Sequence, residues 1–297
     1  MIPASELLIN PDGSVYHLHL KPEQLADNII LVGDPGRVSV VADFFDNKEC
    51  TVTNREFVIV TGSYKSKRMT VMSTGMGTDN IDIVVTELDA LANVDFKTRE
   101  IKPVHRKLNM VRIGTSGSMQ DHIPMGSYVL SEISVGFDNT LNYYAGREAI
   151  SLHDFEDAFM AHMQWDPRLA FPYFVKSSEK LNALFREFSV EGMTISSPGF
   201  FGPQGRIVRL PLADPDMNAK ISAFQYKGKL ITNYEMESSA LAGLGRLLGH
   251  EATTVCYIIA NRVLQTADNN YKTGHQANHS ILDLIQKVLD RLVNFES

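Results

Sequence analysis

Short apolar runs rich in β-branched residues alternate along the chain with segments whose apolar residues recur at helical spacing. Such runs, bounded by glycine or polar residues, are typical of buried strands. The pattern predicts strands at residues 28–32, 68–73, 108–113, 127–135, 193–196 and 252–260. It predicts helices at residues 38–45, 81–91, 181–188, 236–248 and 279–293. We therefore expect an α/β layered fold with a mostly parallel or mixed central sheet.

No linker or shift in composition divides the chain, so we predict a single domain over residues 1–297. Residues 138–176 are the least regular part of the pattern and are rich in aromatic residues and histidine. We expect this segment to be an insertion that lies over the core.

The composition indicates a globular protein with a sizeable core, because 44% of the residues are hydrophobic and 21% are charged. Lys and Arg total 28 against 35 Asp and Glu, which gives a net charge of −7. An acidic chain argues against nucleic acid and an anionic membrane as partners. Net charge describes the whole surface, so a local site for an anionic substrate stays open.

The cellular compartment is predicted from cysteine content and from the absence of targeting patterns. Cys50 and Cys256 are too few for a disulfide framework and are expected to be buried free thiols. The first residues lack the basic start and apolar run of a signal peptide. No stretch reaches the roughly 18 apolar residues of a membrane span. We therefore expect a cytoplasmic protein without a membrane partner.

Two predicted strands lead into segments that could bind an anion. Gly33 opens a glycine-containing turn before a helix, where backbone N–H groups and Arg37 could hold a negative charge. Arg112 interrupts an apolar strand and precedes Thr115 in a glycine-rich stretch that we expect to be a turn. A buried charge needs a ligand or a partner. The alternatives are a plain strand-to-helix turn and a buried ion pair with an Asp or Glu.

Two further segments suggest sugar and base recognition. Glu235 and Glu237 flank Met236 where a helix is predicted to begin. Their carboxylates could accept the vicinal hydroxyls of a sugar, although helix capping explains acidic residues there equally well. Phe200, Gln204 and Arg206 share a Gly/Pro loop that could stack on a base and bind its edge. The alternative is an ordinary loop with a solvated arginine.

The chain lacks the common sequence patterns for nucleotide and metal binding. The pattern Gly75-Met76-Gly77 lacks the third glycine of a dinucleotide-binding fingerprint, because Asn occupies position 80. The chain has no P-loop pattern, and its nine histidines show no metal-ligand spacing such as HExxH. We therefore predict neither a nucleotide cofactor nor a metal site.

Together, the glycine-rich, acidic and aromatic segments resemble the purine/uridine phosphorylase family of nucleoside phosphorylases. The matching pieces run in the family's order across almost the whole chain, and their combination is highly specific. They are YHLHL at 16–20, GDPGR at 33–37, NREF at 54–57, STGMG at 73–77, RIGTSG at 112–117, FFGPQGR at 200–206, NYEMES at 233–238 and ANR at 260–262.

The resemblance implies a single α/β domain in three layers, with helices flanking a mixed, barrel-like central sheet. It implies phosphorolysis of a nucleoside, with uridine as the expected substrate and uracil and ribose 1-phosphate as products. Inorganic phosphate is then a co-substrate, and neither a metal nor an organic cofactor is expected. The resemblance also implies a homodimer or homohexamer whose active sites are shared between subunits.

The resemblance assigns residues to three parts of a site. Those that match the phosphate site are Gly33, Arg37, Arg112, Thr115 and, lent by a neighbouring subunit, Arg55. Those that match the ribose contacts are Met236, Glu237, the nearby Glu235 and, across the subunit interface, His17. Those that match the base pocket are Phe200, Gln204, Arg206 and Arg262.

Several points stay open within this resemblance. Residues 95–109 and 138–176 do not align easily with short bacterial members and are predicted insertions. Asn80 replaces a serine that, with positions matching Glu56 and Met76, holds a potassium ion in some bacterial relatives, so the sequence leaves open whether such an ion binds here. The alternative functions are a purine nucleoside phosphorylase, a nucleosidase of the same family and a non-catalytic nucleoside-binding protein.

Overall fold

A computed structural model describes residues 1–268 and 280–295 of the chain. The strands are β1 Asn28–Val32, β2 Asn47–Asn54, β3 Phe57–Tyr64, β4 Lys67–Ser73, β5 Val94–Asp95, β6 Glu100–Ile101, β7 Asn109–Ser118, β8 Tyr128–Gly136, β9 Tyr173–Lys176, β10 Val190–Ser196, β11 Gln225–Tyr226, β12 Lys229–Glu235, β13 Glu251–Asn261 and β14 Thr266–Ala267. The helices are α1 Pro35–Ala42, α2 Thr78–Asn93, α3 Arg147–Ile150, α4 His153–Met163, α5 Glu179–Phe185, α6 Met217–Ala223, α7 Ser238–Leu247 and α8 Ile281–Val293. Short 3-10 helices lie at Pro22–Gln24, Thr140–Tyr143, Arg186–Phe188 and Gly202–Gln204.

The central sheet is mixed and partly closed on itself. Its order is β11-β12-β10-β8-β13-β7-β1-β4-β3-β2, and β12 also pairs with β7. That extra pairing closes β12, β10, β8, β13 and β7 into a ring, while β1, β4, β3 and β2 continue from it as an open sheet. The α/β class and the mixed, barrel-like sheet that we predicted are confirmed.

The two faces of the sheet are covered by different helices, as the alternation along β1 shows. Ile29 and Leu31 pack in one core cluster with residues of α2 and α7. Ile30 and Val32 point the other way and pack in a second cluster with residues of α1, α5 and α8. Successive side chains of a strand face opposite sides of a sheet, so this strand contributes to both cores.

Several predicted boundaries are wrong for local reasons. Helix α1 begins at Pro35, not at residue 38, because the Asp34 side chain accepts the N–H of Gly36 and caps the first turn. Helix α7 begins at Ser238, not at residue 236, because the Glu235 carboxylate accepts the N–H groups of Glu237 and Ser238. Strands β2, β3 and β12 were not predicted. The predicted helix 279–293 begins at a residue outside the described ranges.

The glycine-rich stretch after Arg112 is strand, which corrects our expectation of a turn. Strand β7 continues to Ser118, and Gly114, Thr115 and Ser116 pair with residues of β13. Strand β13 pairs along this whole stretch, and β12 joins it at Gly117 and Ser118, so the backbone stays extended despite its glycines. The hydroxyl of Thr115 is therefore presented from a strand.

Residues 138–176 are more regular than the sequence pattern indicated. They contain α3, α4 and β9, and β9 pairs antiparallel with β8 of the main sheet. Phe159 and Phe174 are fully buried in a third core cluster. At the start of residues 95–109, β5, which begins at Val94, and β6 form a short hairpin with two paired positions. That the two segments are insertions stays a prediction.

The structure bears on the predictions about the two cysteines and about membrane spans. Cys256 is buried as a free thiol, whereas Cys50 is only partly buried because its strand β2 lies at the sheet edge. In the ranges 1–268 and 280–295, no helix has the length and apolar content needed to cross a membrane.

Candidate active site

Three neighbouring parallel strands bring the first part of the candidate site together. Strand β1 pairs with β4 on one side and with β7 on the other, so the turns after β1 and β4 lie beside Arg112. A Cβ placed on Gly33 would lie 3.5 Å from the Gly75 carbonyl oxygen and 3.9 Å from Arg112 Nη2. The backbone at Gly33 is thus open to close approach only because no side chain is present.

Arg112 is a buried cation held by two carboxylates. Its Nη2 pairs with the Glu237 carboxylate, and its Nη1 lies 3.1 Å from Glu235 Oε2. Burial alone would lower the pKa of Arg112, but the charges of Glu237 and Glu235 outweigh it and raise the pKa above its ordinary value. The ion pair expected as the alternative therefore exists, and it lies beside Gly33. Nε of Arg112 is buried with no hydrogen-bond partner in the described part of the chain.

Glu235 and Glu237 differ in what surrounds them. Both oxygens of Glu235 are engaged within the protein, since Oε1 accepts the Ser196 hydroxyl at 2.5 Å and Oε2 accepts the Glu237 N–H at 2.9 Å. Glu237 Oε1 accepts the N–H of Gly77 at 2.8 Å. Burial raises the pKa of Glu237, and the neighbouring Glu235 charge adds to the rise while Arg112 opposes it.

Arg37 extends from α1 toward the same strand ends. Its Nη1 donates to the Ile113 carbonyl at 3.3 Å, next to Arg112 in β7. Thr115 is half-buried two positions further along β7 and pairs with Tyr257 of β13. The structure thus brings Gly33, Arg37 and Arg112 together, with Thr115 on the same strand as Arg112.

The predicted base loop is folded around its arginine. Gln204 is buried, and its side-chain oxygen accepts a hydrogen bond from Arg206 Nη1, which also donates to the Phe200 carbonyl. The Arg206 guanidinium lies 3.7 Å from the centre of the half-exposed Phe200 ring. Gly205 makes the turn possible with a φ of +67°, in the left-handed region. Arg206 is thus partly buried and hydrogen-bonded within the loop, not fully solvated.

Arg262 reaches this loop from the end of β13. Its Nη2 donates to the carbonyls of Gln204 and Gly205 at 3.2 and 3.3 Å. Burial, together with the nearby Arg262 charge, lowers the pKa of Arg206 to about 10. Burial also lowers the pKa of Arg262. Two positive charges therefore share a partly buried site in which neither is paired with a carboxylate among the described residues.

Strands β7 and β12 join the base loop to the Arg112 centre. A Cβ on Gly117 of β7 would lie 3.3 Å from Cγ of Arg262. Tyr234 precedes Glu235 in β12 and donates its hydroxyl to Asn218 Oδ1 at 3.3 Å. Asn218 Nδ2 donates in turn to the Gln204 carbonyl at 3.3 Å.

A large cavity opens beside the base loop. Its volume is about 1290 Å³, and its walls come from the base loop, the segment after it and the end of α4. Its lining includes Phe201, Arg206, Phe137, Trp165 and Leu210. The cavity has room for a small aromatic ligand next to Arg206.

His17 and Arg55 form a separate cluster near the chain's N-terminal segment. Arg55 lies over the Tyr16 ring, with 5.6 Å between Cζ and the ring centre, and Asn54 donates to the His17 carbonyl at 2.7 Å. The described residues show no hydrogen bond or ion pair from His17 or Arg55 to the Arg112 centre. Met236 is half-buried between Glu235 and Glu237.

Two residues that organise these parts were not predicted. Asn218 secures the base loop, and nothing in the pattern around it marks that role. Glu87 accepts hydrogen bonds from the turn at His17. The burial of Glu87 could have been predicted. It falls on the apolar face of the helix predicted at 81–91, three positions after Val84 and four before Leu91.

Metal ligands are sparse around the site. Over residues 1–268 and 280–295 there is no group of three or more His, Cys, Asp or Glu side chains arranged to hold a metal ion. Glu56 and Asn80 both lie near Gly75, since a Cβ there would be 3.1 Å from Glu56 Cγ and 2.4 Å from Asn80 Nδ2.

Comparison with known proteins gives consistent matches. Residues 27–294 match the family model of the Phosphorylase superfamily. The uridine phosphorylase of Thermococcus kodakarensis is 26% identical over 258 residues, covering 85% of this chain and 79% of that protein. The uridine phosphorylase of Escherichia coli is 27% identical and covers 92% of this chain and 96% of its own.

A solved structure agrees with these relatives. It is that of a Trypanosoma brucei nucleoside phosphorylase described as showing uridine phosphorylase activity. It superposes with a TM-score of 0.86 at 29% identity and covers 97% of this chain and 100% of that one. The likeness therefore extends over the whole fold that carries the candidate site.

Proposed function

This chain belongs to the phosphorylase superfamily, and from that premise we propose that it cleaves uridine with inorganic phosphate to give uracil and ribose 1-phosphate. One observation carries the proposal. Strands β7 and β12 connect two cationic centres, of which one is paired with carboxylates and the other is not. Gly33, Arg37 and Arg112 meet at one of them. Arg206 and Arg262 meet at the other.

The phosphate would bind at the strand-end centre. Gly33 lets the anion approach the backbone, Arg37 and Arg112 supply charge, and Thr115 supplies a hydroxyl. Arg55 would come from a neighbouring subunit, because it lies in a separate cluster with His17. Holding phosphate in line with the sugar carbon supplies much of the rate by positioning alone.

The ribose would lie over Met236 and Glu237. Glu237 has a carboxylate oxygen next to Arg112 and one that meets Gly77 N–H, so it can accept a ribose hydroxyl beside the bound phosphate. Glu235 is already engaged on both oxygens, and we assign it the role of orienting Arg112 and the start of α7. His17 would reach the 5′-hydroxyl from a neighbouring subunit.

The uracil would lie against Phe200, with its polar edge facing Gln204, Arg206 and Arg262. Cleavage of the glycosidic C–N bond develops positive charge on the ribose and negative charge on the leaving base. Arg206 and Arg262 form a cationic centre aimed at that negative charge, and preorganised donors of this kind are worth a few kcal/mol each.

A purine substrate fits less well. In the purine branch that the resemblance also allows, an aspartate at the end of β13 is expected to protonate the purine, whereas here Asn261 and Arg262 stand there. Asn261 Nδ2 donates to the carbonyls of Gln120 and Ile123, and Asn261 Oδ1 accepts the N–H groups of Val263 and Leu264. The Asn261 amide is thus fully used in holding the turn after β13.

We propose that the working form is an oligomer, a dimer or a hexamer. The reason is that His17 and Arg55 lie together, as their contacts with Tyr16 and Asn54 show, but have no hydrogen bond or ion pair to the Arg112 centre within the described chain. A cytoplasmic location and the absence of a metal or organic cofactor stay predictions from the sequence.

The deciding experiment measures uracil release from uridine with and without inorganic phosphate. We expect release that requires phosphate and yields ribose 1-phosphate in equal amount. Release that is indifferent to phosphate would indicate a nucleosidase, and faster turnover of inosine than of uridine would move the protein to the purine branch. Binding of uridine without any cleavage would indicate a nucleoside-binding protein.

A further inference from the structure

Glu87 is a buried carboxylate of α2 that is devoted to the turn carrying His17. Its Oε1 lies 2.6 Å from His17 Nδ1 and 3.0 Å from the His17 backbone nitrogen. Its Oε2 accepts the N–H of Leu18 at 2.9 Å. The exposed fraction of Glu87 is only 7%. One carboxylate thus fixes both the backbone and the ring of His17.

The contact also decides which ring nitrogen of His17 carries hydrogen. An ionised carboxylate only accepts hydrogen bonds, so Nδ1 must donate its hydrogen to Glu87. The hydrogen bond at one ring nitrogen sets the state of the other, and Nε2 is left for an outside group. Nε2 takes no hydrogen bond from residues 1–268 or 280–295, and 27% of the side chain is exposed.

The backbone of His17 is held from the other side as well. Asn54 donates to the His17 carbonyl at 2.7 Å, while Glu87 accepts the His17 N–H. The turn would therefore keep its course with one of these contacts weakened. The Nδ1 contact adds nothing to the path of the backbone, and its effect is to orient the ring.

We propose that Glu87 is the positioning residue for His17 and that it orients Nε2 toward the 5′-hydroxyl of the ribose. The inference rests on the proposed function, because only a nucleoside offers that hydroxyl. Glu87 itself touches no substrate. Its contribution is to present a preoriented imidazole to an active site completed by a neighbouring subunit, so that less ring freedom is lost when the sugar binds.

The test compares uridine with 5′-deoxyuridine, which lacks only the hydroxyl in question. For each enzyme the readout is the ratio of kcat/KM for the two nucleosides at saturating phosphate. We expect Glu87→Gln to lower this ratio roughly three- to tenfold, the factor that one ordinary hydrogen bond is worth. The change should come mainly from KM for uridine, with kcat nearly unchanged.

A matched control lies on the same helix two positions further on. Asp89 also pairs with a histidine, His250, at 3.1 Å. Neither residue of that pair makes a hydrogen bond to His17 in the described chain. Asp89→Asn should lower stability while leaving the uridine to 5′-deoxyuridine ratio unchanged. In a His17→Ala background, Glu87→Gln should have no further effect on the ratio.

Each outcome decides for or against the inference. A ratio that is unchanged in Glu87→Gln, or that falls equally in Asp89→Asn, overturns it. Should Glu87→Gln not fold, Glu87→Asp keeps the charge but withdraws it by one methylene, and the same fall in the ratio is expected. Uridine cleavage that ignores phosphate counts against the proposed function alone, since the 5′-hydroxyl ratio can still be measured.

Discussion

Arg112 and Arg206 lie in the two halves of the candidate site, and their electrostatic surroundings are opposite. Arg112 is buried against Glu235 and Glu237, and these charges raise its pKa in spite of burial. Arg206 has no such carboxylate in the described chain, and burial with the nearby Arg262 lowers its pKa to about 10. The protein neutralises the charge of Arg112 with carboxylates, but none of its described carboxylates neutralises that of Arg206.

The difference indicates two ways of preparing a site for negative charge. At the strand ends, the carboxylates keep Arg112 in one orientation before any ligand arrives, and a phosphate bound as proposed would add to an already paired cation. In the base loop, Arg206 and Arg262 repel each other. Carbonyl oxygens accept their hydrogen bonds, and the Phe200 ring lies against the Arg206 guanidinium. The approach of an electron-rich base edge would relieve that repulsion, most strongly when the base carries negative charge in the transition state.

The largest effect is expected when the compensated arginine is removed. Arg112→Met leaves Glu235 and Glu237 as buried charges without their cation, and breaking a buried pair in this way costs about 3–5 kcal/mol of stability. Phosphorolysis of uridine should fall by roughly 100-fold or more. Urea unfolding and uracil release measure the two effects separately.

The double variant Arg112→Met with Glu237→Gln sharpens this result. It removes one of the stranded charges and should recover part of the lost stability without recovering activity. A single variant Arg112→Met that is as stable as the wild type would show that the pair does not matter for folding. The contrast between the two halves would then be wrong.

The second effect concerns activity alone. Arg206→Ala removes one charged donor from the base loop, and kcat/KM for uridine should fall by an amount equivalent to about 2–4 kcal/mol. Stability should change by less than about 1 kcal/mol, because Arg206 is only partly buried and leaves no carboxylate unpaired. Arg246→Ala, at the exposed C-terminal end of α7 and away from the cavity, is the control and should change neither quantity appreciably. Equal losses in both variants would contradict the assignment.

A smaller effect is expected from the turn that shapes the base loop. Gly205 has a φ of +67°, and a Cβ there would lie 2.3 Å from Asn218 Nδ2. Gly205→Ala should therefore cost about 1–2 kcal/mol and raise KM for uridine while leaving KM for phosphate unchanged. Gly202→Ala is matched to it, because that position has no atom within 4 Å of an added Cβ. A shift in KM for phosphate would show that the halves are not separate.

Much of the sheet could be predicted because a buried strand shows as a short, continuous apolar run in the sequence. The predicted ends of β1 agree with the structure, and those of β4 and β13 differ from it by at most one residue. Strand β2 was missed because it lies at the sheet edge and is largely exposed, so its sequence NKECTVTN carries little apolar signal. The extension of β7 to Ser118 depends on pairing with β13, which local composition cannot reveal.

The sequence could indicate which residues are buried and charged, but not which groups each of them is bonded to. Arg112 was recognisable because a charge in an apolar strand needs a partner, and two acidic residues, Glu235 and Glu237, lie beside it. That the same place binds an anion stays a prediction. Glu235 looked like a sugar ligand, yet its oxygens are used by Ser196 and by backbone N–H groups. Such a difference depends on which strands become neighbours, and that is decided by the whole sheet.

The smallest effect is confined to alkaline solution and tests the pKa contrast directly. Burial favours the neutral form of a base, so Arg206 is charged below a pH of about 10 and loses its proton above it. Arg112, whose pKa is raised, stays charged throughout. The ratio of kcat/KM for the wild type to that for Arg206→Gln should thus fall toward one as the pH passes that value. Uridine ionisation affects both enzymes alike and cancels in the ratio. A ratio that stays constant with pH would mean that Arg206 keeps its proton and that the two arginines are less different than their surroundings indicate.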